Sequence, residues 1–384
     1  MAEGFVFWAG MGWWAATMLV HWISAGLGRW KRPPAMLRHQ PADFSIVAPM
    51  VGEADASEAY VRCLADLAGR GAEVLICVTS EADPAIRRTR SHWPQAPILI
   101  GSDDTFNPKL NNVRKGLDAA SRPVVALCDA GISLGGAELA GAAAPLAGEV
   151  GLVLALKAGA SPANFAAELE CAYINGHQAR FLKAADRLGM PVASGGVTIL
   201  SRDVLGRIGG HQGFLNYLAD DYSVVRTVRE VTGRSTRLAD VMPRLPVGRR
   251  RLADVWRRQV RWGSTRLNLS PEVRGLVVLE PAIGWLISGL AAVAAASSAG
   301  LPGAWLPIVV ILHSAVWLAG EGWFLAAYQL PFGPRAWLAA LAREALVPLL
   351  AIQAWRGRHR IDWRGTDLAA GWQPARDGGP RANV

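Results

Sequence analysis

The chain opens on an uncharged apolar run, residues 5–28 (FVFWAGMGWWAATMLVHWISAGLG). It is long enough for a helix to cross the roughly 30 Å hydrocarbon layer of a bilayer. Positive charge follows the run, in Arg29, Lys31 and Arg32, whereas a signal peptide carries it in front; the pattern reads as an uncleaved anchor. After a proline-bearing linker (Arg32 to Pro41), FSIVAPMV is an unbroken apolar stretch bounded by Pro49 and Gly52, which predicts a short buried strand. SEAYVRCLADLAGR is helix-like. AEVLICVTS predicts a second buried strand, and DPAIRRTRSHW a helix capped by Asp83 with Pro84 in its first turn. PILIGS and PVVALCD predict two more strands. Apolar strands alternating with helices imply an α/β fold with a mainly parallel sheet covered on both faces. Ligands of such sheets bind beyond the strands' carboxyl ends, where Ser80 to Asp83 and Asp129 stand.

From Val241 the pattern changes. Eight arginines between Arg244 and Arg266 are set among Leu, Val and Trp, the pattern of an amphipathic segment on an anionic membrane surface. Three apolar segments follow, at about 276–299, 304–328 and 336–355. Glu321 lies in the second and Arg343 with Glu344 in the third; charges at that depth face protein or water. The cations after the anchor keep the polar middle cytoplasmic, yet three crossings would leave Arg356, Arg358, Arg360 and Arg364 outside. The segment with Arg343 and Glu344 is therefore expected to be re-entrant or interfacial. The expected organisation is an anchor and linker (1–40), a catalytic domain (41–240), an interfacial segment (241–270), membrane helices (271–360) and a tail (361–384), mobile from Gln373.

Composition supports a membrane location: 51% of residues are hydrophobic and the mean hydropathy is +0.20, more than soluble cores need. The net charge of +9 is concentrated near the membrane borders, with no basic stripe interleaved with aromatics; it points to anionic headgroups and not to nucleic acid. Cys63, Cys77, Cys128 and Cys171 show no CxxC spacing and read as reduced core residues.

Separated acidic points at Asp83, Asp129 and Asp220–Asp221, followed by Arg258, Arg261 and Trp262, are the set a metal-dependent inverting sugar transferase needs. A nucleotide-sugar donor leaves as a diphosphate, and a divalent cation bridging its oxygens is the usual electrostatic solution. Asp129 at a strand end suits such an anchor, or caps a turn. Inversion needs one base, for which Asp221 is the best candidate, its ionisation made costlier by Asp220; the pair equally suits a helix N-cap. Arg258, Arg261 and Trp262, at i, i+3 and i+4, share one helical face able to hold a diphosphate, or are membrane-surface cations and their neighbour. Lys109, with Asn107, Asn111 and Asn112 in FNPKLNN, suits phosphate or sugar oxygens, or a turn entering a helix. His177 suits the acceptor or a structural hydrogen bond. Gly195 and Gly196 suit close backbone approach or a turn.

VAPMVGEA, LICVTSEADPAI, FNPKLNN, LCDAGI, EVGLV, HQAR, SGGVTILSRDVL, LADDY and RQVRW occur in that order, followed by AREA at 342–345 and WRG near 355–365. In this the chain resembles the ceramide glucosyltransferase family, membrane enzymes with a glycosyltransferase-A catalytic domain. The resemblance implies that Asp83 lies near the nucleotide, that Asp129 is the metal-linked carboxylate and that Asp221 is the catalytic base. Arg258, Arg261 and Trp262 match the family's closing motif, and His177 an active-site histidine. It also implies a UDP-sugar donor (UDP-glucose first), Mg2+ or Mn2+, and a lipid acceptor glycosylated on a primary hydroxyl, ceramide before a hopanoid. The expected setting is a bacterial inner membrane with the catalytic domain cytoplasmic. Three positions depart from the pattern: Gly131 in place of the second Asp of Asp-x-Asp, Ser80 where relatives can be acidic, and Asp220 where Glu is common. A processive polysaccharide synthase would share the motifs but needs a pore, which so few membrane segments make poorly. A lipid-binding scaffold would have lost the carboxylates, all of which are present.

Overall fold

The computed structural model describes residues 2–33, 36–101, 108–215, 219–363 and 366–369. Asn107 and the tail from Gln373 lie outside them. The chain divides into two compact units: one holds residues 1–30, 161–188 and 247–371, the other 31–160, 189–246 and 372–384. The stretch 41–240 is thus shared between them.

Among the described residues, nine strands precede the C-terminal apolar region. They are β1 (Phe44–Met50), β2 (Glu73–Val78), β3 (Ile98–Ile100), β4 (Val124–Cys128), β5 (Val150–Leu156), β6 (Ala158–Pro162), β7 (Gly196–Ser201), β8 (Ser235–Leu238) and β9 (Arg244–Gly248). Seven form one sheet in the order β3-β2-β1-β4-β7-β5-β8. Only β7 opposes the shared direction of the others, pairing antiparallel with β4 and β5. The sheet is mainly parallel, as the apolar runs predict. Every residue of β1 and β4 is buried, because helices cover both faces. Tyr60, Val61, Leu64 and Leu67 of Glu58–Gly69 pack into the core of Phe44, Ile46, Val74 and Ala126. On the opposite face Pro108–Ala119 lies so close that a methyl on Gly116 would come within 2.6 Å of the Cys77 sulfur and 2.7 Å of Val47. Cys77, Cys128 and Cys171 are buried and Cys63 is half-buried.

The other unit is helical. Its N-terminal helix, Ala2–Arg29, is 28 residues long with charge only at its ends, Glu3 and Arg29. It packs on Arg180–Arg187, Trp285–Ser298 and Leu306–Ala327. Small and polar residues make these contacts: a Cβ on Gly10 would lie 2.7 Å from the Ala291 carbonyl oxygen, Thr17 and Ser288 share a 2.6 Å hydroxyl hydrogen bond, and His21 Nε2 is 2.8 Å from the Trp317 carbonyl oxygen. Such pairs join helices where apolar side chains alone give no preference over lipid.

Among the described residues, two helices are long and apolar enough to cross a membrane: Gly303–Ala327 and Pro334–Arg356. The second, the segment expected to be re-entrant or interfacial, is one continuous helix of 23 residues, about 35 Å at 1.5 Å per residue. It needs no break at Arg343, because a carboxylate on a neighbouring helix meets that charge. The first apolar segment is the interrupted one. Pro271–Leu279 ends before Pro281 and Gly284, and Trp285–Ser298 has 14 residues, about 21 Å and short of the hydrocarbon thickness.

Candidate active site

At the carboxyl end of β4, Asp129 donates its backbone N–H to the Gly196 carbonyl, 2.9 Å away at the start of β7. Both glycines there serve packing: a Cβ on Gly195 would approach Asp129 Oδ2 to 2.9 Å, and one on Gly196 would run into the Ala155 carbonyl. Pro108–Ala119 carries in its first turn Lys109, whose Nζ lies 2.9 Å from Asp129 Oδ1 and 2.7 Å from Asp220 Oδ2. Lys157, directly after β5, stands 3.7 Å from Asp129 Oδ2. Asp220 and Asp221 open Asp220–Thr232 as first-turn residues; the N-cap is Ala219, which makes no side-chain cap. The N-cap reading of the acidic pair is thereby replaced by a first-turn one.

Three carboxylates and two ammonium groups thus share this end of the sheet. Burial favours the neutral form of Asp129, but Lys109 and Lys157 outweigh it and hold its pKa below the ordinary aspartate value. Burial likewise opposes the charge on Lys109, and Asp129 and Asp220 override it to hold that pKa above the lysine range. Asp221 behaves oppositely. Burial and the neighbouring Asp220 raise its pKa to about 6, against the pull of Lys109. A carboxylate poised there can exchange a proton near neutral pH, while Asp129 stays ionised.

Asp83 caps its helix as the sequence predicts. Its Oδ1 accepts from Ala85 N and Gly52 N, each at 2.9 Å, and its Oδ2 from the Thr79 hydroxyl at 2.8 Å. These bonds overcome the effect of burial and keep its pKa below the ordinary value. It thereby joins the loop after β1 to the loop after β2. Asn112 is buried and donates to the Met50 carbonyl at 3.1 Å.

The helical unit holds the other candidates. Arg258, Arg261 and Trp262 lie on one face of Leu252–Leu267. Arg258 Nη1 donates to Oε1 of Glu170, a fully buried carboxylate whose Oε2 takes Arg250 Nε at 3.0 Å. His177 sits in a π-helical stretch, Ala172–Ala179, inserted between Phe165–Cys171 and Arg180–Arg187. Such insertions free backbone carbonyls and recur at functional sites. Two buried arginines take the freed carbonyls here: Arg343 Nη1 donates to Ala172 O at 2.8 Å and Arg180 Nε to Gly176 O at 3.0 Å. Arg343 is itself held by both oxygens of Glu321, at 2.9 and 2.7 Å, and by Glu344 at 2.7 Å. His177 Nε2 hydrogen-bonds Glu280, which Arg266 approaches to 3.5 Å. Tyr173, His177, Gln259, Arg266, Glu280 and Leu350 line a cavity of about 10 Å³, room for about one water.

Sequence reasoning missed Lys157, Glu170, Arg250 and Glu280. Lys157 carries the same signal as Asp129, a charge closing an apolar strand. Glu170 was detectable only as one of two carboxylates, with Glu168, in the otherwise apolar run FAAELECAYI.

The model of glycosyl transferase family 21 matches residues 11–375. The chain belongs to that family. Its resemblance to ceramide glucosyltransferases holds as well. Over 342 residues it is 24% identical to ceramide glucosyltransferase 3 of Caenorhabditis elegans, covering 85% of this chain and 72% of the relative. It is 26% identical over 228 residues to ceramide glucosyltransferase 1 of the same organism, covering 57% of this chain and 48% of the relative. Among solved structures, the mannosyltransferase PcManGT from Pyrobaculum calidifontis, determined with GDP-Man and Mn2+, covers 93% of this chain and 99% of its own, with a TM-score of 0.52 and 17% identity. That likeness establishes the glycosyltransferase-A fold. This family 21 member is accordingly an enzyme of the hexosyltransferase kind.

A divalent cation suits the carboxylate cluster. Three carboxylates against two ammonium groups leave a negative excess when all are ionised, and Asp129 and Asp220 already converge on one cation, Lys109 Nζ. No group of three His, Cys, Asp or Glu residues able to hold a metal occurs among the described residues. A cation held there by one or two carboxylates would take its remaining ligands from substrate phosphate and water, the habit of Mg2+.

Proposed function

We propose that this enzyme moves one sugar, with inversion, from a UDP-sugar to the primary hydroxyl of a membrane lipid, glucose and ceramide being the leading pair. The observation that carries the reading is Asp221, a carboxylate with its pKa raised to about 6 beside the Asp129–Lys109–Asp220 bridge. The helices apolar enough to cross a bilayer support a lipid acceptor and membrane association. The N-terminal helix serves as the anchor in this reading.

Ionised Asp221 takes the proton of the lipid hydroxyl as its oxygen attacks the anomeric carbon; the bond to the diphosphate breaks on the opposite face, and UDP leaves with the electron pair. Asp129 would hold the divalent cation, which supplies charge neutralisation to the diphosphate when bound. Lys109 keeps Asp129 and Asp220 together and presents positive charge to the leaving group. Asp83 orders the loops near the nucleotide. Arg258 and Arg261 neutralise departing UDP through their planar forks, and Trp262 walls the sugar. His177, held by Glu280, is assigned to the acceptor side.

The test is mass spectrometry of lipids from cells with and without the protein, and of membranes given isotope-labelled UDP-glucose and ceramide. One labelled hexose added to ceramide is the expected product. A labelled hopanoid would reassign the acceptor, a ladder of hexose additions would indicate a polymerase, and no labelled lipid at all would defeat the reading.

A further inference from the structure

Glu170 is fully buried on Phe165–Cys171, and each of its oxygens takes a different guanidinium: Oε1 that of Arg258, Oε2 that of Arg250 at 3.0 Å. The Arg250 backbone is fixed to the start of the same helix. Asn164 Oδ1 accepts from Arg250 N at 3.1 Å and, as N-cap, from Ala167 N at 3.2 Å, while Asn164 Nδ2 donates to Arg250 O at 2.8 Å. Helix start, Arg250 and Glu170 therefore form one hydrogen-bonded frame, to which Arg258 is tied from the neighbouring helix. The one carboxylate takes two guanidinium groups, and 31% of the Arg258 side chain remains exposed. A carboxylate this deep is costly without partners. Its pairing fixes the arginine before a ligand arrives, so no reorganisation accompanies the reaction.

We propose that Glu170 is a positioning residue, holding the Arg258 guanidinium in the orientation that receives the diphosphate oxygens of the leaving nucleotide. The inference rests on the phosphate role assigned to Arg258 above.

A double-mutant cycle of Glu170→Gln and Arg258→Lys tests it, read by kcat, acceptor KM, product inhibition by UDP and thermal unfolding of the full-length protein in detergent. Glu170→Gln is expected to lower kcat and weaken UDP inhibition by about tenfold or more, as loss of an aligned group does, with acceptor KM unchanged. Added to Arg258→Lys, it is expected to cost less than about threefold further, because the two act through one contact. Losses that multiply, or a wild-type kcat for Glu170→Gln beside an impaired Arg258→Lys, overturn the positioning role while leaving Arg258 in place. A wild-type Arg258→Lys removes the phosphate role itself, and the inference with it. Should Glu170→Gln not fold, Glu170→Asp keeps the charge with a shorter reach: several-fold weaker UDP inhibition in a folded protein supports the inference, and unchanged inhibition overturns it.

Discussion

The Lys109 ammonium stands 2.7 Å from Asp220 Oδ2, and the same nitrogen is 2.9 Å from Asp129 Oδ1. One lysine at the start of a helix therefore holds together a strand-end carboxylate and one from the first turn of another helix. Lys109→Met would leave the two carboxylates without that shared cation and cost on the order of 2 kcal/mol of stability. It would also remove a charge that lowers the Asp221 pKa. The acidic limb of the pH–rate profile is expected to move to higher pH; an unmoved limb in a folded Lys109→Met protein would contradict this electrostatic account.

Transfer is expected to rise with pH through about 6, since burial and Asp220 place the Asp221 pKa there and a base works only when deprotonated. Asp220→Asn removes a neighbouring negative charge and should shift that limb to lower pH. Asp221→Asn should lower kcat by about 10² to 10⁴-fold while UDP still binds, measured by calorimetric titration. Near-normal turnover would remove Asp221 as the base.

Asp83→Ala removes an N-cap and the ties to Gly52 and Thr79, a loss of about 1–2 kcal/mol. Asp83→Asn, which retains an oxygen to accept those N–H bonds, should recover part of it. Equal melting temperatures for the two variants would mean that the cap contributes little.

Glu321 and Arg343 form a two-pronged pair that is almost wholly buried. Glu321→Ala removes the carboxylate that takes both prongs of the guanidinium, leaving it Glu344 and the Ala172 carbonyl, and should destabilise the protein by about 1–3 kcal/mol. Gly176 is constrained by the same pair, because a Cβ there would overlap the Glu321 carboxylate. Gly176→Ala is expected to cost about 1–3 kcal/mol by overpacking. Thermal unfolding in one detergent ranks the set, and a Gly176→Ala variant as stable as the parent would show that the π-helical stretch can shift to relieve the contact.

Wherever structure follows from neighbours along the chain, it was legible in advance. Unbroken apolar runs identified β1, β2 and β4, because a strand buried on both faces has no polar side to display. Asp83 and Pro84 announced a helix start, since a cap acts within three residues. The glycosyltransferase resemblance was legible for a different reason: many short motifs in one order leave few alternatives even where each alone is ambiguous. The charge-asymmetry rule concerns loops and is blind to the partner that Arg343 finds in Glu321 on another helix.

Sequence by itself thus determined the α/β class, the helix start at Asp83 and the strand end at Asp129, the helical spacing of Arg258, Arg261 and Trp262, and the apolar C-terminal region. Tertiary structure alone decided which charges meet: Lys109 with Asp129 and Asp220, Glu170 with Arg250 and Arg258, Arg343 with Glu321. Hydrophobic periodicity is a local signal carried along the chain, whereas a charge pair acts through space at a few ångströms and can join residues 111 positions apart, as Lys109 and Asp220 are. The raised pKa of Asp221 belongs to that second kind of information, since burial and the field of its neighbours exist only once the chain has folded.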